Sequence, residues 1–241
     1  MKEHTTTSTR TVRTFDAEEA AQYLADHPGE VELPDGDYHK INGNTIAVAS
    51  PDEWAESPLN EDCWGYPRDT FFVSLWPREL SSDDSEESRD VAAFADTVAG
   101  TPHPTRALVR YLERTYKATA CYLVSVYVHS GVTISVVGDN LIGNPDASAY
   151  VGRTGWDSAN AALVFATSPD KTLAEQFCRS MVEAYDAYLT GDVWCVALHE
   201  LTVEQVSVDG GPFETLTTWE AYDYSGSLYG HDNMMAELES A

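Results

Sequence analysis

The segment from Ala120 to Val137 constrains the fold more than any other part of the sequence. It contains two runs, "ACYLVSVYV" and "GVTISVV", that are rich in β-branched and aromatic residues, which favour strands. His129-Ser130-Gly131 lies where the runs meet, and this is a turn sequence because glycine tolerates unusual backbone angles and serine can bond to its own backbone. The segment predicts two adjacent strands joined by a tight turn in a well-buried sheet.

Helices and further strands are predicted around this sheet. End-capping residues and apolar stripes indicate helices at residues 15–29, 81–100, 101–118, 168–191 and 231–241. Strand-forming runs between turn sequences indicate a hairpin at 30–50 that turns at Asn42-Gly43-Asn44, and strands at 71–76, 162–167, 192–201, 202–211 and, with a turn, 217–230. This mixed order predicts an α+β fold with a largely antiparallel central sheet flanked by helices.

The remaining segments complete the predicted organisation. Residues 50–70 are expected to form a structured aromatic loop, and residues 140–155 a second loop. Three regions are predicted: a flexible arm at 1–13, an acidic N-terminal region at 14–118, and an α/β core with an acidic C-terminal segment at 119–241.

Composition narrows the cellular context. The sequence has no run of eighteen apolar residues, so we expect no membrane span. Its first fifteen residues hold no apolar segment, so we expect no signal peptide. The four cysteines are widely spaced and form no C-x-x-C pair, which favours reduced thiols in the cytoplasm of a host cell.

The net charge of the chain is far more negative than that of an average protein. Forty acidic residues oppose fourteen basic ones, for a formal net charge of −26. Residues 181–241 contain twelve acids and no lysine or arginine. A field of this sign repels nucleic acids and anionic membranes and attracts basic protein surfaces, so direct nucleic-acid or membrane binding is disfavoured.

Two interpretations of the acidity remain open. Four lysines beside ten arginines, with abundant Asp, Thr, Ala and Val, are typical of proteins adapted to high salt. Alternatively, the acids form a surface that competes with DNA for a basic nucleic-acid-binding host protein. The predicted contacts of that surface are Asp83, Asp84, Glu86, Glu87, Glu183, Asp186, Glu220, Asp223, Glu237 and Glu239.

An enzymatic alternative rests on a few polar residues near the central strands. His129, Ser130, Asp157 and Asp192 supply a base, a hydroxyl nucleophile and orienting acids, the residue types of a hydrolase site. The G-x-S-x-G nucleophile motif is absent. The competing interpretation is that the histidine and the hydroxyl complete a β-turn.

No cofactor or metal is predicted. The sequence contains no Walker A loop and no G-x-G-x-x-G. His199-Glu200 and His231-Asp232 are the histidine–acid pairs that would have to converge to hold a metal, and no recognised ligand spacing supports this.

The second half of the chain resembles a known group of proteins. It contains, in order, Y-x-H-S-G-x-T-I-S from Tyr127, W-D-S from Trp156, and Y-D-x-Y-L-x-G-D-V from Tyr185. These blocks resemble a family of small proteins encoded by phages, prophages and plasmids. Val128 and Ala159 depart from that series, which has aspartate and glycine there. The resemblance implies a mobile-element context, and hence the hypothesis of a non-enzymatic inhibitor of a restriction or CRISPR-type defence.

Overall fold

The computed structural model describes residues 10–60, 69–75, 80–144, 152–153 and 157–241. They form two compact units. Unit 1 combines Met1–Glu53 with Trp194–Ala241, and unit 2 is Trp54–Val193. The first unit is therefore built from both ends of the chain, and its limits differ from the boundary predicted at residue 118.

Unit 2 is a sheet with helices on both faces. Its antiparallel strands are ordered β4-β8-β5-β6, and β7 pairs with β8. The elements are β4 Thr70–Ser74, α2 Glu86–Val98, α3 Pro104–Thr115, β5 Ala120–Val128, β6 Val132–Val137, β7 Gly152–Arg153, β8 Ser158–Ala166 and α4 Lys171–Thr190.

Alternate residues of β5 explain why helices cover both faces of this sheet. Tyr122 and Val124 belong to the core under α4, whereas Cys121 and Leu123 belong to the core under α2 and α3. Successive side chains of a strand point to opposite faces. Residues 120–124, which are apolar at every position, therefore bury both faces of the strand, as the sequence predicts.

The ends of the longest helix follow from single residues. The Asp170 carboxylate accepts hydrogen bonds from the backbone N–H groups of Thr172 and Leu173, at 2.9 and 3.2 Å, which satisfies donors that no helical carbonyl reaches. Gly191 ends α4 with a φ of 75°, a left-handed conformation that glycine adopts at little cost.

Unit 1 is a second antiparallel sheet. Its strands are ordered β1-β9-β3-β2, and β10 also pairs with β9. The elements are β1 Arg10–Thr14, α1 Ala17–Asp26, β2 Tyr38–Asn42, β3 Thr45–Pro51, β9 Val193–Val208, β10 Glu214–Tyr229 and α5 His231–Ser240.

One helix of unit 1 packs on an even-numbered residue of β9, and the other helix packs on odd-numbered residues. Val196 lies in the apolar cluster of α5, whereas Leu201 and Val203 lie in the cluster of α1. In a regular strand such positions project from opposite faces. The helices α1 and α5 therefore cover different faces of one sheet.

The α+β class and the antiparallel pairing are confirmed, with two sheets in place of one. The five predicted helices are present, and the hairpin that turns at Gly43 is confirmed as β2–β3. Residues 61–68 of the predicted aromatic loop lie outside the described residues, as do residues 1–9 of the predicted arm.

Three predictions are corrected. The strands predicted at 192–201 and 202–211 are one strand, β9, because β3 and β1 pair with consecutive stretches of it. The turn predicted within 217–230 is part of continuous β10, where Ser227 takes a left-handed φ of 54° without ending the strand. Arg10–Thr14, mostly assigned to the arm, pairs with β9.

We expect Gly36→Ala to destabilise the protein by about 1–3 kcal/mol. A Cβ at this position would lie 2.2 Å from Cγ1 of the buried Val48 and 3.1 Å from the carbonyl oxygen of Ala49. Chemical denaturation measures the change in the free energy of unfolding. Gly100→Ala is the matched control, since its Cβ meets no atom within 4 Å. Equal stability of the two variants would contradict the prediction.

Candidate acidic interaction surface

The acidic charge is concentrated in unit 1. Its two segments contain twenty acidic and four basic residues, whereas unit 2 contains twenty acidic and ten basic residues. The acids are equal in number, but unit 2 is the longer chain segment and has more than twice as many bases. The excess of negative charge is therefore larger in unit 1, and no lysine or arginine follows Arg179.

The strand β10 of unit 1 is exposed over most of its length. Every residue from Glu214 to Tyr224 is exposed except Trp219, which is half-buried. Trp219 packs against the cluster under α1, and its indole N–H donates a 2.9 Å hydrogen bond to the carbonyl of Glu32. One tryptophan thus anchors a strand whose carboxylates, including Glu220 and Asp223, face solvent.

On the face opposite α1, the region formed by β1, the C-terminal half of β9 and the start of β10 is open, whereas α5 covers that face around Val196. Val12 lies directly across from Val206, and Arg10 from Val208, so these residues share a face of the sheet. Val12 is 44 % exposed and Val208 is 52 % exposed. On β10, Leu216 is 47 % exposed. It lies three residues before Trp219 and therefore on the opposite face of the strand. This open face combines apolar side chains with carboxylates.

Three of the predicted contact residues serve the fold. The Asp83 carboxylate accepts hydrogen bonds from the backbone N–H groups of Phe72 and Ser85, at 2.5 and 3.1 Å, and from the Ser85 hydroxyl. Asp186 accepts a 2.6 Å bond from the backbone N–H of Ile134. Glu237 accepts a 2.8 Å bond from the hydroxyl of Ser225.

The other predicted contacts lie mostly at the surface. Glu87 is half-buried, and the exposed ones are Asp84, Glu86, Glu183, Glu220, Asp223 and Glu239. Asp84, Glu86 and Glu183 belong to unit 2, whereas Glu220, Asp223 and Glu239 belong to unit 1. The predicted set is therefore divided between the two units.

The structure brings together two of the four residues of the enzymatic alternative. Nδ1 of His129 lies 3.4 Å from an Asp157 carboxylate oxygen, with the two side chains 70 % and 47 % exposed. A contact between side chains this exposed contributes at most about 1 kcal/mol, reduced by solvent screening. Ser130 makes no hydrogen bond to His129 among the described residues, and the N–H of His129 donates to the carbonyl of Gly131 at 3.2 Å.

Asp192, the fourth residue of that alternative, follows the end of α4. Its backbone N–H donates a 2.8 Å hydrogen bond to the carbonyl of Ala187, which closes the helix. The geometry of His129 and Ser130 is that of a hydrogen-bonded turn, in which no base is aimed at a nucleophile.

The histidine–acid pairs do not form a metal site among the described residues, where no group of three or more His, Cys, Asp or Glu side chains could hold an ion. The ring of His231 instead lies against aromatic rings, with centroids 5.5 Å from Tyr38 and 6.1 Å from Trp194. His199 lies on β9, opposite Ile46 of β3.

A contact that sequence reasoning missed fixes the end of β10. The Asp52 carboxylate accepts hydrogen bonds from the backbone N–H and the hydroxyl of Ser227, at 3.0 and 3.2 Å. Partial burial of the hydroxyl, a hydrogen bond with Cys195 and the charge of Asp52 raise the pKa of Tyr224 to about 12. No motif marks these residues, because they meet only through strand pairing.

Comparison of the chain with protein-family models, with curated proteins and with solved structures finds no match. The resemblance to phage and plasmid proteins therefore stays a prediction. In the described part of the chain, no helix is long and apolar enough to cross a membrane. The interpretation of the acidic surface rests on charge and geometry.

We expect Asp83→Ala to lower the free energy of unfolding by about 2–3 kcal/mol, because it removes three hydrogen bonds to a partly buried carboxylate. Asp84→Ala, at the exposed neighbour, should change it by less than about 0.5 kcal/mol. Urea denaturation of both variants measures the difference. Similar values for the two would show that Asp83 is a surface charge like Asp84.

Proposed function

We propose that this protein is a non-enzymatic inhibitor from a virus or other mobile element, and that its acidic surface occupies the basic nucleic-acid cleft of a host defence protein in the cytoplasm. The observation that carries the proposal is the charge of unit 1, with twenty acids against four bases. Its exposed carboxylates include Glu220, Asp223 and Glu239. No lysine or arginine follows Arg179 in the sequence, although the Lys40 ammonium donates a hydrogen bond to the backbone carbonyl of Glu239.

The spacing of the carboxylates along β10 shows whether this strand can copy the phosphates of a DNA strand one by one. Strand residues rise by about 3.3 Å each, so Glu214 and Glu220 of β10 are about 20 Å apart, and Glu220 and Asp223 are about 10 Å apart. A DNA strand carries one phosphate per roughly 3.4 Å of helix axis. The strand alone is too sparse to copy phosphates one by one. The proposed surface therefore acts through the summed field of unit 1.

The uneven charge favours this proposal over salt adaptation alone. Adaptation to salt requires a hydrated acidic exterior and gives no reason for unit 2 to keep ten bases while unit 1 keeps four. The enzymatic alternative has less support, because the exposed His129 pairs with Asp157 while Ser130 makes no hydrogen bond to it among the described residues.

The test is capture by the immobilised protein from a nuclease-treated prokaryotic lysate. We expect the captured protein to bind duplex DNA by itself and to be displaced from the column by duplex DNA. It should also elute between about 0.1 and 1 M NaCl, because the screening length falls from about 10 Å to about 3 Å over that range. A complex that survives molar salt, or that DNA does not displace, would contradict the proposal.

Neutralising carboxylates in each unit separates a local surface from overall charge. The triple variant Glu220→Gln, Asp223→Asn, Glu239→Gln removes three exposed charges of unit 1. The matched control, Asp84→Asn, Glu86→Gln, Glu183→Gln, removes three from unit 2. We expect the first to weaken binding on the order of tenfold and the second by less than about threefold.

Calorimetry or surface plasmon resonance with the captured protein measures both affinities. Equal weakening by the two triple variants would mean that net charge alone controls binding, which would exclude a localised surface on unit 1.

A further inference from the structure

The outer edge of β10 is unpaired within the described part of the chain. The strand runs for sixteen residues, Glu214–Tyr229, and pairs only with β9 there. An unpaired edge presents a row of backbone N–H and C=O groups that can receive a further strand. Proteins commonly protect such edges with proline or lysine, and β10 contains neither.

The contacts of β9 show which backbone groups of β10 point outward. The Leu201 N–H donates to Asn44, at 2.8 Å, and the Val203 carbonyl accepts from Phe15, at 2.9 Å. Odd-numbered residues of β9 in this stretch therefore direct their backbone groups toward β3 and β1. Even-numbered residues direct theirs toward β10, because the groups alternate along a strand.

The position of Trp219 shows in which direction the backbone groups of β10 point. It packs with Leu201 and Val203, so odd-numbered residues of both strands share a face and lie opposite one another. In β10 the even-numbered residues therefore bond to β9. Odd-numbered residues, including Thr217 and Trp219, direct their N–H and C=O groups to the open edge.

The charges of β10 decide which strand can add to this edge. A second copy of the chain would bring Glu214, Glu220 and Asp223 beside identical carboxylates, and like charges on adjacent strands destabilise pairing. A strand with lysine or arginine at alternate positions would place opposite charges there. The edge is thus protected against self-association and open to a basic strand.

We propose that β10 binds an extended basic segment of a partner protein by strand addition. The identity of that partner as a nucleic-acid-binding protein rests on the function proposed above. Backbone hydrogen bonds to odd-numbered residues such as Thr217 fix the register of the added strand relative to β10. Basic side chains of the added strand lie on the same face as Glu214 and Glu220, about 20 Å apart, and its apolar side chains lie on the opposite face, beside Thr217 and Ala221.

The probe is a ten-residue peptide that alternates lysine with valine. Its control keeps the five lysines and replaces two central valines with proline, which cannot donate to a ladder. We expect the wild-type protein to bind the first peptide at least roughly tenfold more tightly than the second, since one or more hydrogen bonds are lost. Equal affinities would mean that charge alone attracts the peptide, and would overturn strand addition.

Substitutions at adjacent threonines test the edge itself. Thr217→Pro removes an outward N–H, and Thr218→Pro removes an N–H directed to β9. Thr217→Val keeps the N–H and the strand preference. We expect Thr217→Pro to retain its melting temperature within a few degrees and to lose the roughly tenfold preference for the alternating peptide, while Thr217→Val keeps it. Thr218→Pro should melt lower. A folded Thr217→Pro variant with wild-type preference would overturn the proposal.

Amide hydrogen exchange of the wild-type protein gives a measurement that does not depend on how a variant folds. On addition of the alternating peptide, the amides of Thr215, Thr217 and Ala221 should exchange at least tenfold more slowly, with little change at Thr218. Unchanged exchange at the three odd-numbered residues would exclude strand addition.

These experiments fail separately from the test of the proposed function. If the protein captures no DNA-binding protein but shows the peptide preference, the proposed function is wrong and the edge site stands. If capture occurs and Thr217→Pro captures equally well, the edge proposal is wrong and the acidic surface stands.

Discussion

Unit 1 depends on the backbone hydrogen bonding of β9. This strand pairs with β3 over Trp194–Glu200 and with β1 over Glu204–Val208, and it also pairs with β10. No other strand in the described residues joins the two ends of the chain in one sheet. Because the sequence ends are its most acidic parts, the same pairing that builds the sheet also gathers the charge.

Gathering charge costs stability through repulsion, and apolar burial must offset it. The helices α1 and α5 each cover an apolar cluster, in which Val203 and Met234 are fully buried. Exposed acids add repulsion but little desolvation, since their carboxylates keep contact with water. A sheet whose faces are buried beneath its helices can therefore carry an open acidic region and an unpaired outer strand edge.

Counts of acids overstate the surface available to a partner. Asp83 and Asp186 accept hydrogen bonds from backbone N–H groups inside unit 2, where they connect a loop to β4 and a helix to β6. Their charges contribute to the field but their oxygens are engaged. The exposed residues of β10 are the reverse case, because apart from Trp219 they contribute little to the core and much to the exterior.

The sequence by itself determined the local structure. Ser168 or Asp170 is predicted to begin α4 and Gly191 to end it, the turn at His129 joins β5 to β6, and the mixed order of elements gives the α+β class, since caps, turns and periodicity act over a few residues. The structure selects Asp170 as the cap. Only the tertiary structure decided that both ends of the chain form one sheet, that β9 is continuous, and that the Asp83 carboxylate is partly buried and hydrogen-bonded while β10 has an open edge. Strand pairing joins residues far apart in sequence, and periodicity carries no information about which strands pair.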